Sequence, residues 1–349
     1  MCYNLIELVN MKEEKRIVYL DYLRVIATFF VIILHISGQN FNNIGIRTLE
    51  FHAINIYDSL SRFTVPIFVM ISGALFLNST KKITLKKLYS KNILRLVTAF
   101  IFWSLLYTLS MYIITPKGIQ SFILDFITGY YHLWFIYMLM GLYILTPLLR
   151  KITESKDTME YFLIIGFIVN FIIPFIFKIP KLSYFNSIYN SIGLKMVYGY
   201  SFYYVLGYYL FKHEMKEKNQ KIVYALGILG ALATIILTFI LSNYYNKAIP
   251  LFYDNFSITI FFQCLALFTF AKYKLNNYKL EKVINISKYC FGIYLVHALI
   301  INVLNVLNMN SLTFNTFISI PIISIIVFIV SFIISYIINK IPFINKYIV

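Results

Sequence analysis

The sequence predicts an all-α, polytopic integral membrane protein of about ten transmembrane helices, and three observations predict it. Of 349 residues, 60% are hydrophobic and only 13% charged, with a mean hydropathy of +0.75. Soluble domains carry about a quarter charged residues, and water-soluble cores of this length cannot hide so much apolar surface. Apolar stretches of 16–22 residues recur along the whole chain, long enough to cross or nearly cross a hydrocarbon core. Lys and Arg are then distributed unevenly between alternate connections, which predicts both termini on the cytoplasmic side.

The predicted spans are 17–38, 61–79, 93–114, 132–149, 161–177, 196–211, 222–242, 255–271, 289–309 and 317–339. They form one domain over 1–349, with a cytoplasmic segment at 1–16, a ten-helix bundle at 17–339 and a cytoplasmic tail at 340–349. The first run follows Lys12, Lys15 and Arg16 as a signal peptide would. It is too long, contains Arg24 and lacks a small-residue cleavage pattern, so it reads as a retained first helix. With the N-terminus inside, 22 of the 31 basic residues fall in inner segments and seven in outer ones, Arg24 and Arg95 lying within helices. That split accounts for the net charge of +17, so no nucleic-acid partner is required. The predicted location is the plasma membrane, crossed many times.

Cys2, Cys264 and Cys290 are too few and too far apart for a disulfide framework or a metal site, and the apolar surroundings of the last two favour simple packing. Pro66, Pro147, Pro174 and Pro321 fall in or at the ends of spans, where a kink is the ordinary reading. No fixed-period repeat and no inverted pair of broken helices of the transporter kind is visible.

Ionisable residues inside spans are costly and point to function. The first helix, YLDYLRVIATFFVIILH, carries Asp21, Arg24 and His35. Eleven residues separate Arg24 from His35, about 20° beyond three full turns, so both project from one face about 16 Å apart along the axis. Asp21, three residues before Arg24, can orient or neutralise it. Arg62 opens the second span at its outer end, and Ser72 and Gly73 within it suit close helix packing. The following inner segment holds Lys81, Lys82, Lys86, Lys87 and Lys91, with Arg95 entering the third span. Anionic membrane lipids or a phosphate group would each suit it. In HLWFIYMLMGLY, Trp134 and Tyr137 fit an interfacial aromatic belt, while His132 is less expected there. His297 lies near mid-membrane, where it should face protein or water. His52 and His213 read as loop residues without a role. His35, Arg62, His132 and Trp134 thus map to the outer half, and Arg24, Lys91 and Arg95 to the inner half. No nucleophile elbow, P-loop, metal-ligand cluster or nucleotide fingerprint appears.

Five segments in order give the chain a recognisable pattern. They are Asp21-x-x-Arg24 with His35, SRFTVPIFVMISGALFL (61–77), YHLWFIYMLMGLYILTPL (131–148), FYYVLGYYL (202–210) and FGIYLVHALI (291–300). Over essentially its full length the chain resembles the membrane acyltransferase 3 family. Within that family it resembles the surface-glycan O-acetyltransferases typified by the enzyme that acetylates enterobacterial common antigen. The resemblance implies a ten-helix enzyme moving an acyl group, usually acetyl, from cytoplasmic acyl-coenzyme A to a hydroxyl of an extracytoplasmic glycan or lipid-linked sugar. It implies His35 as the catalytic histidine and Arg24 as the essential arginine, with Asp21 beside them. Acetyl-coenzyme A would be the donor, gripped by Arg24, Lys91 and Arg95, and no metal is implied. The family's Arg-x-x-Arg entering the third helix is incomplete here, Asn92 standing at its first position. The hydrolase-like outer domain appended in some members has no counterpart in these residues.

Geometry agrees with that implication. Phosphates held at the inner end would let the donor's arm reach His35, acting as general base or transient acyl carrier. Arg62, His132, Trp134, Tyr137 and His297 are the candidates for binding the acceptor or polarising the carbonyl. The competing reading is an exporter of polysaccharide or lipid-linked sugar without acyl-transfer chemistry. A sensor is weaker because no soluble output domain is attached. A homo-oligomer is compatible with the acyltransferase reading.

Overall fold

The computed structural model describes residues 16–78, 84–116, 118–177, 188–189, 191, 194–342 and 344–349. Cys2, Lys12, Lys15, Lys81, Lys82, Lys117, Lys178 and Lys181 lie outside the described residues, as does the side chain of Lys195. Among the described residues every regular element is a helix, as it must be where no water can satisfy an open backbone group.

In chain order the helices are α1 (Val18–Gly38), α2 (Leu49–Ser59), α3 (Thr64–Phe76), α4 (Leu85–Ile114), α5 (Ile119–Thr128), α6 (Trp134–Ile152) and α7 (Lys156–Phe177). There follow α8 (Leu194–Lys212), α9 (Glu217–Tyr245), α10 (Ile258–Phe270), α11 (Glu281–Ser287), α12 (Cys290–Val306), α13 (Thr316–Lys340) and α14 (Ile344–Tyr347). Side-chain caps set several starts: Thr48 Oγ1 accepts from Phe51 N at 3.3 Å, Ser155 Oγ from Thr158 N at 3.1 Å and Asn315 Oδ1 from Phe317 N at 3.0 Å. Each satisfies an N–H that the helix itself leaves open. At the other end of α3, Arg150 of α6 donates to the carbonyls of Phe76 and Asn78 at 2.9 and 3.0 Å.

Among the described residues eight helical segments are long and apolar enough to span a membrane, and α11 with α12, bent by 67°, makes a ninth if the pair is one span. The expected tenth, 196–211, is helical within α8 but does not meet that standard. Gly199, at φ +31°, kinks α8, and from Phe202 to Leu210 nearly every side chain is buried. A helix enclosed by protein on all sides needs no lipid-facing apolarity, which is why tyrosine is so frequent in it. Helix α13 shows the opposite pattern. Ile318, Ile322, Ile325, Ile329, Ile333 and Ile337 are exposed, while Ser319, Ser324, Ser331 and Ser335 are buried. Small polar residues thus face the bundle and branched apolar ones face outward, as helix association in lipid favours.

Two elements depart from the sequence reading. Residues 49–59, taken as an outer loop, form α2, so the second candidate span starts at Leu49 and His52 sits on a helix. The 115–131 connection contains α5, held by Ser104 Oγ donating to Phe126 O at 2.6 Å. Short and mostly apolar, α5 lacks the length that marks a span.

Backbone contact at the centre of the bundle depends on two glycines. A Cβ on Gly73 of α3 would overlap the carbonyl of Tyr204, and one on Gly207 of α8 would overlap that of Met70. Each helix presents its bare backbone to the other's, the closest packing available to a membrane helix pair. Gly73→Leu is therefore expected to lower the apparent melting temperature of the detergent-purified protein sharply, by the several kcal/mol that overpacking a tight core can cost. Gly141→Ala, with open space around it, should leave that temperature unchanged or raise it slightly. Thermal-shift fluorescence on the two variants checks both outcomes.

Candidate active site

Helix α1 lays Asp21, Arg24, Thr28, Val31 and His35 along one side at three- and four-residue steps. At its start Asp21 is buried and accepts from three sources. Arg16 donates through Nε at 2.7 Å and Nη2 at 3.3 Å, Arg24 through Nη1 at 2.9 Å, and Ser287 through its hydroxyl at 2.8 Å. One carboxylate thereby fixes the start of α1, the Arg24 side chain and the α11–α12 bend. Thr28 donates to the Arg24 carbonyl at 2.7 Å.

At the other end of α1, His35 lines a cavity of about 160 Å³ with Val31, Leu34, Arg62, Val65, Phe68, His132, Trp134, Phe135, Asn255 and Tyr294. Apolar walls with a few converging polar groups are the usual make-up of a small-ligand site. The His35 ring stacks on His297 at a centroid distance of 5.2 Å and meets Tyr131 edge-on at 4.9 Å. His297 in turn lies 5.0 Å from His132, nearly perpendicular. Three of the five histidines therefore touch in one cluster. Among the described residues no group of three or more His, Cys, Asp or Glu is placed to hold a metal ion.

The support behind the cluster comes from α12 and α4. Tyr294 donates its hydroxyl to the His132 carbonyl at 2.5 Å, and its own carbonyl lies 2.5 Å from Nδ1 of His297. A carbonyl can only accept, so Nδ1 carries the proton and Nε2 is the lone-pair nitrogen. Nε2 is buried without a partner among the described residues. Tyr107 bridges one turn of α12: its hydroxyl donates to Leu295 O at 2.8 Å and accepts from Leu299 N at 3.0 Å. Its ring stacks on Tyr130 at 4.6 Å.

Arg62 stands in the break between α2 and α3. Its Nη2 is 2.6 Å from the fully buried carboxylate of Asp58, and its guanidinium lies 4.2 Å above the Tyr253 ring. Tyr253 donates to Asn55 Oδ1 at 2.7 Å, and Asn55 donates to Ile235 O at 3.0 Å. On the opposite wall Asn255 donates to the Tyr200 hydroxyl at 2.7 Å, and Trp134 packs 5.9 Å from the Tyr200 ring with 42% of its surface exposed.

Of the residues singled out in the sequence, His35, Arg62, His132 and Trp134 line the cavity together, and His297 stands directly behind His35. Tyr137 does not line it. Its hydroxyl donates to Ile127 O at 2.6 Å and its ring lies 4.4 Å from Phe100, so it anchors α5 instead. Asp58, Asn255 and Tyr294 were missed. The Asp58-x-x-x-Arg62 spacing is a legible signal, but it lies in a stretch read as loop.

At the Arg24 end, Tyr143 lies within electrostatic range of both Arg24 and Arg95. Lys91 is exposed in the turn before Arg95. Arg95 donates through Nε and Nη2 to the main-chain oxygen of Val349, at 3.1 and 2.6 Å, and lies 5.5 Å from the Phe291 ring. Thr98 and Trp103 donate to the carbonyls of Tyr347 and Ile348 at 2.6 and 3.0 Å. The last residues thus pack among α4 and α12 at the same end of the bundle as Arg16.

The helical bundle thus carries an arginine at one end of α1 and a histidine-lined cavity at the other. The family model described as an acyltransferase domain matches residues 17–339, and the chain belongs to this acyltransferase 3 family. Similar curated proteins from Staphylococcus aureus strains MRSA252 and MSSA476 are each named "Probable poly-beta-1,6-N-acetyl-D-glucosamine export protein". Each is 26% identical over 315 residues, covering 84% of this chain and 86% of the relative. No solved structure matches.

Asp21→Asn should lower stability in detergent by about 1–3 kcal/mol, since it weakens four hydrogen bonds, three of them from partly exposed arginines and one from Ser287. Thermal unfolding of that variant beside Glu217→Gln, an exposed carboxylate paired with the equally exposed Lys221 and expected to be near neutral, checks the outcome.

Proposed function

We propose that the protein is an integral membrane O-acyltransferase that moves an acyl group, most simply acetyl, from acyl-coenzyme A to a hydroxyl of a cell-surface glycan. The observation that carries this reading is the single cavity in which His35, Arg62, His132 and Trp134 meet on a member of the acyltransferase 3 family. Bond formation needs a base at the acceptor hydroxyl, and an imidazole exposed to a cavity suits that task. Tyr131 and the stacked His297 hold the His35 ring in place. The exposed face of Trp134, backed by Tyr200, suits a sugar ring.

The donor is long and thin, anionic at one end and reactive at the other. Arg24 and Arg95 would take its phosphates, Arg95 exchanging the Val349 oxygen for a phosphate oxygen. About 16 Å of α1 then separates the grip from His35, and Thr28 and Val31 lie on the way. On this reading the cationic end faces the cytoplasm, as the bias in basic residues suggests.

The names of the Staphylococcus aureus relatives favour a second reading, export of a poly-N-acetylglucosamine-type chain without acyl transfer. Membranes containing the protein, given radiolabelled acetyl-coenzyme A and surface glycan from the host, separate the two. Acyl transfer predicts label in the glycan, reduced by His35→Ala at least 10²-fold at equal expression. Glycan that crosses the membrane unlabelled and chemically unchanged, at the same rate in both proteins, supports export instead.

A further inference from the structure

Arg62 and its neighbours carry more than a place in the cavity wall. Asp58 is fully buried and takes only Nη2, and Tyr253 supports the plane of the guanidinium from one side. Nε is buried with no acceptor among the described residues. A buried N–H left open calls for an explanation, and a catalytic role is one of the recognised ones; the Arg62 side chain as a whole keeps 22% of its surface exposed. Arg62 is the one arginine or lysine lining the described cavity, in a wall shared with His35.

The geometry points to Arg62 as the group that stabilises the negatively charged oxygen formed on the donor's carbonyl, with Asp58 as the residue that positions it. This inference rests on the acyltransferase reading above. His35 takes the proton from the acceptor hydroxyl as the oxygen bonds to the thioester carbon, and the carbonyl electron pair moves onto its oxygen, beside Arg62. When that pair returns, the carbon–sulfur bond breaks and the thiolate takes the proton back from His35. The products are an ester and a free thiol, with His35 and Arg62 restored. Fixed donors aimed at such an oxygen lower the barrier without reorganising during the reaction. The arginine is fixed because the end of α2 delivers Asp58 one turn ahead of it. Recognition of the sugar is then left to the aromatic wall at Trp134 and Tyr200.

Full-length protein in proteoliposomes, acetyl-coenzyme A and a β-1,6-linked N-acetylglucosamine oligosaccharide provide the test, read as thiol release and oligosaccharide mass. Arg62→Gln is expected to lower kcat by about 10²-fold with the KM for oligosaccharide unchanged. Asp58→Asn, which keeps the cation but loosens it, should lower kcat less, again at constant KM. Because Arg62→Gln leaves Asp58 buried and unpaired, the neutral double variant Asp58→Asn/Arg62→Gln guards against misfolding, and it should be as slow as Arg62→Gln. An unchanged kcat with a raised KM in Arg62→Gln would make Arg62 a sugar-binding residue and overturn the inference alone. A wild-type protein that releases no thiol and adds no mass overturns the acyltransferase reading and this inference with it.

Discussion

A carboxylate cannot stand alone inside an apolar bundle, and the architecture of this site follows from how two of them are paired. Asp21 and Asp58 are both buried, and each is matched to an arginine. Burying one ion without its partner costs several kcal/mol, whereas a well-made pair roughly breaks even. The pairs therefore add little net stability, but they leave each arginine few places to go. Asp21 holds Arg24 against the start of α1 and ties the α11–α12 bend to it. Asp58 holds Arg62 beside His35. The two pairs bracket the working length of α1, one at each end.

The bracket also explains the dense aromatic and hydroxyl network between its ends. Helix α12 is set at 67° to α11 and braced by the Tyr107 hydroxyl, with Tyr294 and His297 against His132 and His35. Tyr107 and Tyr294 hold α4, α12 and the 130–132 turn in one register, so the histidine rings stack on a rigid support. Close packing of α3 on α8 through Gly73 and Gly207 fixes the opposite side.

Much of this was legible in the sequence because membrane helices are written in long apolar runs and because ionisable residues stand out within them. The Arg24–His35 spacing gave a shared face from helical period alone, and basic residues, His132 and Trp134 stood out as exceptions in apolar surroundings. What was not legible depends on contacts between distant segments. Helix α2 is short, mixes polar with apolar residues and follows a loop of polar residues, so 49–59 resembled a connection, and Asp58 was hidden with it. Tyr137 shares its motif with Trp134 but turns toward α5, which the sequence shows only as an apolar stretch too short to span. Arg95 looked like a free cation, yet it is met by the main chain of residue 349, some 250 positions away. The tyrosine-rich run of α8 read as an ordinary span, while its surroundings are almost entirely protein.

The central claim is that α1 connects a cationic grip to a histidine cavity where acyl transfer takes place. A cryo-electron microscopy map of the protein with a non-hydrolysable thioether analogue of acetyl-coenzyme A tests it most directly. The account predicts density running along α1, with phosphates at Arg24 and Arg95 and the acyl carbon about 3–3.5 Å from the position of an acceptor oxygen bound to His35. Analogue density confined to the outside of the bundle, or a cavity filled by glycan with no donor able to reach His35, would contradict it.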